Sequence, residues 1–294
     1  MTSHASGLAL YDRTARRGSA QVISHYSTSF GLASRLCSRS VRTHVADVYA
    51  IVRIADEIVD GPAEEAGLSP VEQRALLDAL EADTEHAIAC GYSSNLIVHA
   101  FAQTARATGF GVELTRPFFA SMRRDLEPVD FDDGELREYV HGSAEVVGLM
   151  CLRAFSKDLP ADPARDERWQ RGARHLGAAF QKINFLRDLA DDYDVRGRRY
   201  FPGIDPGRLS EADKLRLLDD IDRDLAIAGA VIPELPSGCR RAVAAAHKLF
   251  SALSARLRGT PAAELLTARV SVPTARKLLL LLQAAGTPGR GVVA

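Results

Sequence analysis

The chain has 294 residues, 46% of them apolar and 26% charged, enough to bury a large core and ordinary for a globular protein. A formal net charge of −1 excludes a global field that would recruit nucleic acid or an acidic surface. Cys37, Cys90, Cys151 and Cys239 form no C-x-x-C pair and sit at no zinc-ligand spacing from a histidine, so they read as reduced thiols packing as small hydrophobes.

No apolar stretch follows Arg13, Arg16 and Arg17, so no signal peptide is predicted. The first helix predicted covers residues 42–59, where Val45, Val48, Tyr49, Val52, Ala55 and Val59 form one stripe and Gly61-Pro62 ends it. A second, residues 70–90, opens on Ser69-Pro70, a cap followed by proline at the first helical position, and carries Leu76, Leu77 and Leu80. Further helices are predicted at 94–108, 116–125, 134–157, 166–194, 210–232, 237–258 and 272–286. Strand-like alternation is missing, and no composition shift marks a boundary. The expectation is an all-α single domain spanning 1–294, with 1–8 and 287–294 frayed. The longest apolar run, Leu278 to Leu282, is far short of the ~20 residues of a spanning helix. With Arg276 and Lys277 it reads as a packed helix end, the alternative being one-sided contact with a membrane. A cytoplasmic protein is expected, peripheral at most to the inner membrane face. Scattered histidines (His25, His86, His99, His175, His247) and Trp169 read as packing or surface residues.

Within 134–157, the run from His141 to Gly148 is rich in small residues, although glycine costs a helix about 1 kcal/mol relative to alanine. Something approaches closely there, either a neighbouring helix or a ligand.

Two acidic clusters carry the chemistry. Asp56 and Asp60 stand four apart on the first predicted helix, so both carboxylates share a face about 6 Å apart along the axis, with Arg53 on that face. Like charges at this spacing repel, which a solvated helix gains nothing from and a metal-bound diphosphate explains. Asn184, Asp188 and Asp192 also step by four, and Gln181 extends the stripe by a turn. A Gln/Asn/Asp stripe continuing the apolar Leu176, Ala179 and Phe180 reads as the lining of a cavity. Two carboxylate walls suit Mg²⁺, which takes one or two carboxylates and completes its shell with water and phosphate oxygens. Arginines add bidentate contacts to phosphate.

These residues resemble the squalene and phytoene synthases, over about Tyr26 to Leu282. Ser27-Thr28-Ser29-Phe30 resembles the family's S-x-S-F entry, and the resemblance implies that Tyr26, Ser27, Thr28, Ser29 and Phe30 meet substrate. YAIVRIADEIVD, Tyr49 to Asp60, is similar to the first aspartate-rich motif, implying Tyr49 and Arg53 as diphosphate contacts and Asp56 and Asp60 as Mg²⁺ ligands. Tyr139 to Met150 resembles the central helix, with Ala144, Val147 and Gly148 at matching places. Glu145 and His141 depart from the usual glycine and aromatic and are expected near the hydrocarbon channel or its rim. QKINFLRDLADDYDVRGRRYFP, Gln181 to Pro202, is similar to the second motif. It implies Asn184, Asp188 and Asp192 as metal ligands, Gln181 and Arg187 as substrate contacts, and Arg198 and Tyr200 as groups closing over the diphosphate.

The resemblance implies an isoprenoid-synthase helical bundle around a central cavity. It implies a transferase using Mg²⁺, with Mn²⁺ as a substitute, that condenses two geranylgeranyl diphosphates head to head to phytoene through a cyclopropylcarbinyl diphosphate. Apolar walls are expected from Phe30, Val52, Val147, Phe180 and Phe185. No nicotinamide cofactor is expected, since no G-x-G-x-x-G follows a strand. The variant Gly-Ser-Ala-Glu-Val-Val-Gly, residues 142–148, resembles the phytoene synthases of high-GC Gram-positive bacteria more than the squalene branch. The alternatives are farnesyl diphosphate going to presqualene diphosphate, dehydrosqualene or squalene, a cyclising terpene synthase, and a non-enzymatic helical scaffold. Oligomeric state and the terminal base are not legible.

Overall fold

The computed structural model describes residues 6–127, 130–189, 198–267, 269–273, 277 and 283–284, apart from the side chains of residues 28–30 and 206. Among these the secondary structure is helical, and the β structure is one isolated parallel bridge between Asp130 and Arg199. The helices are α1 (Gly7–Tyr26), α2 (Thr28–Ser34), α3 (Arg39–Val59), α4 (Pro62–Glu65), α5 (Pro70–Cys90), α6 (Leu96–Thr108) and α7 (Val112–Arg124). They continue as α8 (Asp133–Val140), a π-helical turn (His141–Glu145), α9 (Val146–Ser156), α10 (Pro163–Arg187), α11 (Glu211–Val231), α12 (Ser237–Gly259) and α13 (Ala262–Leu265).

Local chemistry sets the boundaries. The Ser69 hydroxyl accepts from the Glu72 N–H while the Glu72 carboxylate accepts from the Ser69 N–H at 2.8 Å, a reciprocal cap that opens α5. Asp132 and Glu135 do the same for α8. Gly61, at φ 132°, turns the chain out of α3 into Pro62, as the sequence predicts. Along α5 the buried face is Gln73, Leu77, Leu80, Thr84 and Ala87. Leu76 points outward at 46% exposure, because one residue along a helix rotates the side chain about 100° away from Leu77. Helix α1 is absent from the sequence expectation. Its buried stripe is Ala15, Ser19 and Ile23, too small and too polar to register as a hydrophobic face.

Two apolar clusters make the core. One joins α3, α5, α6, α7 and α9 through residues such as Ile51, Leu77, Phe101, Phe118 and Met150. The other joins α10, α11 and α12 through Ile183, Leu186, Leu218, Ile221 and Leu257. The small residues of the central segment are explained by helix contact. A Cβ on Gly177 of α10 would lie 2.6 Å from the Ala144 carbonyl oxygen, and one on Gly148 would lie 2.7 Å from that of Ala173. A Cβ on Gly142 would collide with the Pro117 carbonyl of α7. Backbones therefore interlock where the sequence left helix or ligand open, and the predicted 134–157 helix accommodates them through its π-turn.

Candidate active site

A cavity of about 280 Å³ opens between the two clusters. Val52 and Val147 line it on one side, and Leu176, Phe180 and Phe250 on the other, with the Phe180 and Phe250 rings stacked 3.6 Å apart. Nearly all its lining is apolar, and it follows α10 from Trp169 to Asn184, about 22 Å of helix. It is thus a tunnel, with Gln181 and Asn184 at the α10 end nearest Asp188.

The two helices that carry the acidic motifs change character in the same way. On α3 the tunnel-lining face runs Val45, Val52 and then, one turn on, Asp56. On α10 it runs Phe180, Gln181, Asn184 and then, one turn on, Asp188. The carboxylates do not stand alone. Arg53 Nη1 donates to Asp56 Oδ2 at 2.9 Å, pairs with Glu57, and lies 4.6 Å over the Tyr26 ring. Arg198 Nη2 is 2.7 Å from Asp60 Oδ1, so the tail of the second motif reaches the first. Asp188 pairs with Arg187 and, at 2.7 Å, with Arg269 Nε. Tyr49 is half-buried beside this group, and burial raises its phenol above the usual value against the pull of Arg53, leaving an O–H donor at neutral pH. Ser27, on the turn between α1 and α2, is its hydrogen-bond partner.

Arg198 is 5% exposed and is held from beneath. It donates to the Asp125 carbonyl at 2.8 Å and to the Tyr200 hydroxyl at 3.3 Å. The Tyr139 hydroxyl donates to Asp125 Oδ1 at 2.7 Å, and the Tyr200 ring stacks on Phe185 at 3.9 Å. Burial pushes the Asp125 carboxyl up to about 7, against the pull of Arg198, with Asp60 and Asp56 adding to the rise. Asp125 carries no local signal in the sequence. An aspartate after two arginines at a helix end looks like a solvated terminus, and only the fold carries it under Arg198.

Several expectations need correcting or placing. Phe185 does not line the tunnel. It is buried against Tyr200, because it lies one residue past Asn184 on α10 and faces Tyr139 of α8 and the Tyr200-Phe201 segment. His141 and Glu145 pair with each other at 2.9 Å, and neither is on the tunnel. His141 lines a separate cleft against α7, while Ser143 and Ala144 of the same turn face the tunnel. The predicted 166–194 helix ends its regular run at Arg187, with Asp188 as C-cap at φ −101° and ψ 14°. Asp192 lies outside the described residues, as do the side chains of Thr28, Ser29 and Phe30 and the Leu278–Leu282 run. Cys37 and Cys151 line the tunnel, Cys239 is buried and Cys90 is exposed, all four as free thiols. Among the described residues no helix is long and apolar enough to cross a membrane.

The family model described as squalene/phytoene synthase matches residues 23–276. A 15-cis-phytoene synthase of Paracoccus sp. is 31% identical over 278 residues, covering 90% of this chain and 88% of the relative. A phytoene synthase of Mycobacterium tuberculosis is 30% identical over 204 residues, covering 67% of this chain and 62% of that protein. The crystal structure of a dehydrosqualene synthase with bound ligand superposes with a TM-score of 0.73 at 20% identity, covering 94% of this chain and 96% of the other.

Proposed function

The chain belongs to the squalene/phytoene synthase family, and we propose that it condenses two geranylgeranyl diphosphates head to head to phytoene. The observation that carries this reading is the common change of face on α3 and α10, where an apolar tunnel gives way within one turn to Asp56 and Asp188. A prenyl chain fits the first part and a diphosphate the second.

The donor set supports a metal-assisted reading. Asp56, Asp60, Asn184 and Asp188 offer oxygen ligands only, the class Mg²⁺ takes, and the missing coordination positions would come from water and substrate phosphate. In the proposal these four hold Mg²⁺ together with Asp192. When bound, Mg²⁺ neutralises the charge that develops on a departing diphosphate.

The protein's own groups do the rest. Arg53, Arg187 and Arg198 hold the diphosphates by charge-assisted hydrogen bonds, and Tyr49 adds a neutral donor. Arg198 is the best fixed of these, since Asp125, Tyr139 and Tyr200 set its position before substrate arrives. Val52, Val147, Phe180 and Phe250 keep water from the allylic cation left when the first C–O bond breaks. The second substrate's double bond attacks that cation, and a proton is lost to give the cyclopropylcarbinyl diphosphate. Breaking its C–O bond releases the second diphosphate, and rearrangement with loss of a second proton gives the hydrocarbon. No reductant enters this balance.

The test is to offer purified protein geranylgeranyl and farnesyl diphosphate separately with Mg²⁺ and to identify the hydrocarbon by mass spectrometry. A forty-carbon product from the first is the expected result. A thirty-carbon product from farnesyl diphosphate alone would move the protein to the shorter-chain branch.

A further inference from the structure

The tunnel has a neighbour. A cleft of about 460 Å³ opens between α7, α9 and the start of α10, and it shares two side chains with the tunnel, Leu152 and Trp169. These two residues are therefore the wall between the cavities. Trp169 lies at the N-terminal end of the tunnel's course along α10, opposite the acidic mouth. It is 4% exposed and is fixed on three sides. Its indole N–H donates to Glu234 Oε2 at 3.2 Å, the Arg165 guanidinium lies 5.0 Å over its ring, and it packs in a small cluster with Leu152, Leu235 and Cys239. Packing alone explains a buried tryptophan, but it does not explain one that faces an empty cavity on each side and is pinned by a hydrogen bond to a separate turn.

We propose that Trp169, backed by Leu152, is the floor that sets the longest prenyl chain the tunnel accepts. This rests on the reading that the tunnel holds the hydrocarbon of a diphosphate anchored at Asp56 and Asp188. A chain fixed at the mouth extends along α10 until it meets the indole, and each further isoprene unit must then fold back or stay out. Removing the indole joins the tunnel to the cleft, where Leu114, Leu149 and Leu159 stand among polar and charged side chains such as Glu113, Arg153 and Arg174. One more five-carbon unit then gains room and the three leucines to pack against. Glu234 and Arg165 do not line the tunnel; they are positioning residues for the floor.

The experiment compares wild type with Trp169→Ala, Leu152→Ala and Trp169→Phe. Non-hydrolysable thiodiphosphates with fifteen-, twenty- and twenty-five-carbon chains are bound to each in the presence of Mg²⁺ and read by thermal protection. Product formation from the matching diphosphates is measured in parallel. Trp169→Ala and Leu152→Ala are expected to shift preference toward the next longer chain by about tenfold or more, the scale on which added apolar groups are discriminated. Trp169→Phe, which keeps most of the wall, is expected to retain the wild-type ranking. Leu152→Ala carries the test if Trp169→Ala does not fold. An unchanged ranking in the folded alanine variants overturns the proposal, and so does an absence of protection by every analogue in wild type. Protection of wild type without any hydrocarbon product would instead refute the condensation reading while leaving the floor judged by the binding ranks.

Discussion

Asp47 sits on α3 about two and a half turns before Asp56, with no measurable exposure, between α1 and α6. Thr104 Oγ1 donates to its Oδ2 at 2.7 Å, and His44 Nδ1 lies 2.8 Å from that same hydroxyl. Burial pushes the Asp47 carboxyl up to about 7, only partly opposed by the hydrogen bonds of Thr104 and Ser19 and by Arg16. Burial also lowers His44, which leaves it neutral and able to donate through Nδ1–H. A carboxyl that titrates near 7 when folded and at 3.8 when free in water binds more protons in the folded chain at every pH between those values. Stability then falls as pH rises through that window and levels off above it. At 1.36 kcal/mol per pH unit the full window is worth on the order of 4 kcal/mol, with about 2–3 kcal/mol of it between pH 5 and 8. Asn at this position accepts from Thr104 without a charge to bury. Melting of wild type and Asp47→Asn at pH 5 and pH 8 isolates this group, since all others cancel in the difference. The advantage of the Asn variant is expected to grow by roughly 4 °C from pH 5 to pH 8, given the unfolding entropy of a chain of this length. A difference that does not change with pH would refute the reasoning and mean that Asp47 is equally easy to ionise folded and unfolded.

The helix interlock and the acidic motifs yield two more expectations. Gly177→Ala gains about 1 kcal/mol of helix propensity but drives a methyl into the Ala144 carbonyl at 2.6 Å, so a net loss of about 1–3 kcal/mol is expected in thermal or urea denaturation. An unchanged or raised midpoint would mean that the π-turn yields easily. Asp56→Ala and Asp188→Ala are expected to keep the helical circular dichroism of wild type and lose at least about 10²-fold in product formation, the scale of removing one preorganised electrostatic contact. Wild-type turnover in either would remove these carboxylates from the chemistry.

What the sequence made legible was whatever repeats with helical period and carries unusual side chains. The α3 stripe from Val45 to Val59 and the Ser69-Pro70 start of α5 are local patterns, and each stands in the fold where its spacing put it, whereas of the Asp pair only Asp56 lies on α3 and Asp60 is its C-cap at φ −124° and ψ 38°. Helix α1 escaped because a stripe of Ala15, Ser19 and Ile23 has little hydrophobic contrast. Asp125 and the shared wall at Leu152 and Trp169 escaped for another reason. Their roles arise from contacts between residues far apart in the chain, Asp125 with Arg198 and Trp169 with Glu234, which no local window contains. The resemblance puts His141 and Glu145 near the channel, but in the fold they pair with each other while Ser143 and Ala144 of the same π-turn face the tunnel.

The most direct test of the central claim is the stoichiometry of diphosphate release. Purified protein is given geranylgeranyl diphosphate with Mg²⁺ or with a chelator, and inorganic diphosphate and hydrocarbon are counted together. Two diphosphates released for each forty-carbon hydrocarbon, with both abolished by the chelator, is the result expected for head-to-head condensation. One diphosphate released for each twenty-carbon hydrocarbon or alcohol would contradict it and make the protein a cyclase or a hydrolase on the same fold.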